Sequence, residues 1–187
     1  MITDLIKKPT KIMGVDCSTH SFAYSIFHDG KPLRCGEIQF GSGDIYQRIA
    51  TAQKLISEAI ADGTLDAEVT GFESAVMVNR NAQTGIHLAY VYGATIAPLV
   101  QSGMKVQLVP PTTWQFFIGN KNLTAAEKLK IKGENPGKSA SFVKNAGREF
   151  RKQRTLKIAR EYFPIESGSD NIGDAVGVNL WALSNLT

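Results

Sequence analysis

Two rhythms of apolar residues run along the chain, one with the period of strands and one with the period of helices. Ile12-Met13-Gly14-Val15 is a continuous small or apolar run, the pattern of a strand covered on both faces. It closes on Asp16 and then turns polar through Cys17, Ser18 and Thr19. Residues 20–28 alternate polar and apolar side chains, Asp29-Gly30 is a hairpin dipeptide, and 32–40 reads as a third strand. Gly41-Ser42-Gly43 breaks the pattern and Asp44 can cap a helix. Apolar residues then return at helical spacing over 45–60 (Ile45, Ile49, Ala52, Leu55, Ile56, Ala59, Ile60) until Gly63 ends it. Residues 68–73 form a fourth strand that closes on Glu73, as the first closes on Asp16.

Asn79-Arg80-Asn81 is a polar bend. An amphipathic helix is predicted over 82–101, with Ile86, Ala89, Tyr90, Gly93, Ala94, Ala97, Leu99 and Val100 on or near one face. Its small residues would let another backbone approach, either its own sheet or a second copy of the chain. Residues 105–109 form a fifth strand, closed by Pro110-Pro111. Thr112 can cap the helical turn carrying Trp114, Phe116, Phe117 and Ile118, which Gly119 ends. Thr124 and Glu127 form a capping box for a short helix ending at Gly133, and Asn135-Pro136-Gly137-Lys138 is turn chemistry. Residues 148–163 read as a helix with Phe150, Leu156, Ile158, Ala159, Tyr162 and Phe163 inward. A last helix spans 170–183. Strands first, then strands alternating with helices, imply an α/β protein with a mixed sheet.

The 187 residues fit a single domain, 1–187, and 43% hydrophobic composition is enough for a substantial core. No apolar stretch approaches the roughly 20 residues needed to span a bilayer. The N-terminus lacks the basic-then-apolar pattern of a secretory signal, so a cytoplasmic protein is expected. Two cysteines, Cys17 and Cys35, are too few for a disulfide scaffold and have no metal-ligand spacing. The charge is unevenly spread. Residues 121–160 hold twelve Lys/Arg against three acids, a net +9, which leaves −5 for the rest of a chain whose total is +4. A basic block on a slightly acidic chain is the footprint of a polyanion binder. The DNA-binding candidates are Arg80, Lys121, Lys128, Lys130, Lys132, Lys138, Lys144, Arg148, Arg151, Lys152 and Arg154. The loop at about 120–150 has few apolar residues, so it is expected to stay mobile until an anion orders it.

Asp16 and Glu73 close two strands, where open α/β sheets place their ligands. Asp170 and Asp174 are four apart and share a helix face, where like charges repel unless a cation compensates. Asp170 could instead cap the helix; Asp174 stands in an apolar run. Oxygen ligands without a histidine pair suit Mg²⁺ or Mn²⁺ rather than zinc, since His20, His28 and His87 share no spacing. Two such ions about 3.5–4 Å apart can engage the attacking and leaving oxygens of an in-line phosphoryl displacement. Asp16 would bridge them, Glu73 and Asp174 would complete their shells, and Asp170 would assist.

The ordered set of Gly14-Val-Asp16, Glu73, Asn79-Arg-Asn-Ala, Gly93-Ala-Thr-Ile-Ala97, Pro111-Thr-Thr-Trp-Gln before Gly119, and Asp174-Ala-Val-Gly-Val resembles the RuvC-type Holliday-junction resolvases, nucleases of the RNase H-like fold. The resemblance implies a five-stranded mixed sheet of order 3-2-1-4-5 with strand 2 antiparallel. It also implies a homodimer through the helix at 82–101, two metal ions per active site, and symmetric cutting of four-way DNA junctions in a bacterial or phage-infected cell. Lys152 falls where the family carries a functional lysine near the scissile phosphate. Family members space their last two acids by three or by four. Here a spacing of four gives Asp170 and a spacing of three gives Asn171. No aromatic follows Glu73 where the family stacks on DNA; Val76 and Met77 stand there. The longer basic segment points toward flaps or other branches as further substrates.

Two other classes compete. Asp16-Cys-Ser-Thr19 also suits the first phosphate loop of actin-like or sugar-kinase proteins, which need a second lobe. A non-catalytic branched-DNA-binding module would keep the fold without needing the acids.

Overall fold

The computed structural model describes residues 9–75, 82–165 and 170–186. Within them, five strands make one mixed sheet of order β3-β2-β1-β4-β5. β1 (Lys11–Cys17) lies at its centre. β2 (Ser21–His28) pairs with it antiparallel, β3 (Lys31–Gln39) pairs antiparallel with β2, and β4 (Val69–Glu73) and β5 (Lys105–Val109) follow in parallel on the other side. Asp29 and Gly30 both take positive φ, 51° and 73°, as a tight two-residue hairpin requires. The order and directions are those expected. One sheet leaves no second lobe among the described residues for the nucleotide-binding alternative.

Helix α1 (Ile45–Ala61), with the Asp44 capping box completed by Gln47, and helix α2 (Ala82–Gln101) cover one face. There Met13, Val15, Phe22, Ile26 and Phe72 of the strands bury against Ile56, Val91 and Leu99 of the helices. Helix α6 (Asp170–Asn185) covers the other face, backed by α5 (Ala140–Ala159). Phe27 there meets Leu156, Phe163 and Val176. Short α3 (Pro111–Phe117) seats Trp114 against Val109 and Val178.

Gly14 sets how closely α6 can lie on the sheet. A Cβ there would stand 2.3 Å from the Ala175 carbonyl oxygen and 2.4 Å from the Asn179 nitrogen. A Cβ on Gly177 would meet the Trp114 ring at 2.5 Å, so α6 is pinned from both sides. Fully buried Asn179 adds a polar pin: its Nδ2 donates to the carbonyls of Ile12 (3.1 Å) and Ser25 (2.7 Å). Ser25 Oγ in turn donates to the Ala175 carbonyl at 3.1 Å.

The basic segment holds the short helix expected after Thr124 and more helix than expected beyond it. It folds into a helical pair, α4 (Ala125–Gly133) followed by α5, which begins eight residues before position 148, the expected start. Ser139 caps α5 by accepting from the Phe142 amide, while Ile131 and Gly147 are buried between the helices. The expected cap at Thr112 is also replaced: Pro110 precedes α3 and Pro111 is its first residue, where a missing N–H costs nothing. Among the described residues no helix is long and apolar enough to cross a membrane.

Candidate active site

Val15 pairs with Phe72 in the parallel β1–β4 register, so the next residue of each strand, Asp16 and Glu73, leaves the sheet at the same end. Gly14 and Gly71, two residues earlier, lie under α6. Strand alternation therefore turns Asp16 and Glu73 toward α6 as well. On that helix Asp174 precedes Ala175, whose carbonyl sits over Gly14. Three carboxylates far apart in sequence thus face one another across the sheet–helix seam.

Their electrostatics record the meeting. Burial, then the charge of Glu37, pushes the Asp16 carboxyl up to about 6, against the pull of Lys152. Burial, then Asp16, raises Asp174 to about 7, with Lys152 and Arg151 opposing. Glu73 rises to about 9 through burial and the charges of Asp16 and Asp174, offset in part by a hydrogen bond from Trp114. Each acid is held away from water beside other acids, and the nearby cations Lys152 and Arg151 do not offset that cost. Carboxylate oxygens with an uncompensated charge are a donor set that fits a hard divalent cation.

Asp170 lies at the rim, in the first turn of α6. It accepts a 2.8 Å hydrogen bond from Lys152 Nζ on α5. That bond, with the charges of Asp170 and Asp174, raises the Lys152 ammonium and keeps it protonated beside the site. Asn171 does not join the acids. Its Nδ2 donates to Glu37 Oε1 at 2.7 Å and to Ser21 Oγ at 3.4 Å. As the side chains stand, no three histidine, cysteine or acidic groups among the described residues are close enough to hold an ion together. Trp114 and Lys152 restrain two of the acids.

Two residues of this site escape sequence reasoning. Trp114 reads as core, and it is core, yet its Nε1 donates to Glu73 Oε2 at 2.8 Å and fixes that carboxylate's direction. Glu37 reads as one polar residue of an edge strand. Register places it opposite Ala23, which lies opposite Asp16, so all three share a sheet face. Strand pairing would have revealed it; local pattern alone does not.

The basic candidates divide. Lys130 pairs with Glu134, and Arg154 with Glu127. Lys121 stands over the Phe116 ring and Lys138 over the Phe142 ring. Arg151 donates to Gln115 and to the Asn120 carbonyl. Lys128, Lys132, Lys144 and Arg148 are exposed and in no ion pair among the described residues. Arg80, Val76 and Met77 lie outside the described residues.

Solved structures share this fold. RuvC from T. thermophilus in complex with a Holliday junction substrate matches with a TM-score of 0.64 at 11% identity, over 94% of this chain and 96% of that one. The fold is that of RuvC. A second Thermus thermophilus RuvC structure matches at TM-score 0.59 and 12% identity, over 91% of each chain. The fowlpox virus Holliday junction resolvase matches at 0.53 and 13%, over 93% of this chain and 98% of that one. In sequence, the crossover junction endodeoxyribonuclease RuvC of Halorhodospira halophila is 32% identical over 107 residues, 54% of this chain. The match spans 62% of that relative's length. No family profile matches the chain.

Proposed function

We propose that this chain is a metal-dependent endonuclease that resolves four-way and other branched DNA by phosphodiester hydrolysis, in the cytoplasm of a bacterial or phage-infected cell. The observation that carries this reading is the meeting of Asp16, Glu73 and Asp174 at one sheet end, with Lys152 at the rim. Asp16, Glu73 and Asp174, assisted by Asp170, would hold two Mg²⁺ or Mn²⁺ ions, which when bound supply Lewis acidity for displacement at phosphorus. Trp114 keeps Glu73 from swinging away. Lys152 offers the scissile phosphate a cation already oriented by Asp170. The exposed lysines of α4 and α5 carry the DNA backbone, so affinity should fall steeply with salt.

Cleavage of synthetic four-way junctions, flaps, Y-forms and plain duplex, side by side with Mg²⁺ or Mn²⁺, tests the reading. Cuts near the branch and none in plain duplex are expected. Junction binding without cutting under either metal would leave only a DNA-binding module.

The active form in this reading is a homodimer through α2. The helix buries Val91, Thr95, Pro98 and Leu99 against its own sheet and leaves Ile86, Ala89, Tyr90, Gly93, Ala97 and Val100 exposed in a stripe. Nothing lies within 4 Å of a Cβ built on Gly93, so Gly93→Glu should fold normally. By sedimentation the variant should be a monomer that nicks single strands instead of cutting in pairs. A persisting dimer would place the seam elsewhere.

A further inference from the structure

The pair of helices built from the basic segment does more than display lysines. Between α4 and α5 runs a groove of about 620 Å³. Leu123, Ile131 and Val143 give it an apolar lining, and Lys128, Lys132, Lys144 and Arg148 stand along it with no acid among the lining residues. Arg151 closes the groove at the end nearest the carboxylates: its guanidinium is felt by Asp174, and its neighbour Lys152 holds Asp170. Arg151 Nε is buried and has no hydrogen-bond partner.

A duplex surface matches this shape poorly. It presents phosphates outward with its bases stacked and recessed, and suits a convex basic face rather than a cleft with an apolar floor. A nucleotide that has left its pair presents both a flat, largely apolar base and a phosphate. Strands part at the branch points of DNA, so such nucleotides are available there at small cost. We propose that the α4–α5 groove receives one unpaired nucleotide of branched DNA, its base against Leu123, Ile131 and Val143 and its phosphate among the rim cations. Unpaired nucleotides beside the branch would thereby be selected. The inference deepens the nuclease reading and rests on it for one point, that the strand entering the groove is the strand presented to the carboxylates.

The test is binding in EDTA, independent of cleavage, with two branched DNAs that differ at one position. One carries a single unpaired 2-aminopurine at the branch; the other has that base paired. The intact protein should bind the first about tenfold tighter, the scale of one sequestered base, and should shield the 2-aminopurine from acrylamide quenching. Ala140→Trp would fill the groove from an exposed position at the start of α5. It should cut the preference to within about twofold while leaving affinity for the paired DNA unchanged. Equal affinity of the intact protein for both DNAs, unshielded 2-aminopurine, or a preference that survives Ala140→Trp each overturn the proposal. The shielding measurement needs no variant. Lost preference with cleavage intact removes the groove alone, whereas preference without cleavage removes the nuclease reading alone.

Discussion

Replacing Asp16 with Asn should abolish cleavage and spare binding. The side chains are nearly isosteric, so what is lost is a negative charge at the point where β1, β4 and α6 meet. Removing one preorganised electrostatic contact in an active site typically lowers rate by about 10²–10³-fold. Loss of a proposed metal ligand should reach at least the upper end of that range. Junction affinity should stay within about twofold, because the DNA contacts proposed above are cations on α4 and α5 rather than this acid. In metal-free buffer at alkaline pH, Asp16→Asn should also unfold at a higher temperature, since Glu73 and Asp174 would lose a like-charged neighbour. Gel cleavage assays, filter binding and thermal scans on one preparation read all three. A variant that still cuts within tenfold of the parent would remove Asp16 from the chemistry.

Gly14→Ala should cost nearly as much activity without touching any reactive group. The added Cβ would stand 2.3 Å from the Ala175 carbonyl, a backbone atom that cannot rotate away. Helix α6 must lift, carrying Asp174 from Asp16 and loosening the Asn179 and Ser25 bonds to the sheet. Overpacking of this kind costs about 1–3 kcal/mol, and in a chain of this size the melting temperature should fall by about 2–4 °C per kcal/mol. Misplacing a catalytic group by about 1 Å can lower rate 10²-fold. Cleavage should therefore fall well beyond what the lost stability explains at a temperature where the variant remains folded. Unchanged stability and activity would mean that the close crossing of α6 over β1 does not position the site.

The fold was legible wherever local pattern and tertiary environment agree. Strand β1 reads as buried because Ile12 to Val15 are apolar or small. Asp16 and Glu73 stand out because each ends such a run, and Asp174 because α6 is otherwise apolar around it. What stayed hidden depends on pairing between distant segments. Glu37 reaches Asp16 through two strand registers, and Trp114 reaches Glu73 through α3 packing beneath α6. The first half of α5 escaped for a different reason. Residues 140–147 carry only a thin apolar stripe, and their helix rests on the Ser139 cap and on Gly147 seating against Leu123. Ser139 was the available signal, three residues ahead of Phe142, whose amide it accepts.

The central claim, that distant carboxylates share one pocket short of a cation, is tested most directly by thermal unfolding between about pH 5 and 9, with and without Mg²⁺. In the folded protein Asp16, Asp174 and Glu73 keep their protons up to about 6, 7 and 9 respectively, whereas in the unfolded chain they release them near about 4. The folded state thus binds more protons across this window, and metal-free stability should fall as pH rises through it. Mg²⁺ should restore stability, and by more at pH 9 than at pH 5, because a cation replaces the protons. In a variant combining Asp16→Asn with Asp174→Asn, the pH slope should shrink to what the burial of Glu73 alone contributes, and the response to Mg²⁺ should collapse. A melting temperature indifferent to Mg²⁺ at every pH, or a slope unchanged in the double variant, would contradict the account.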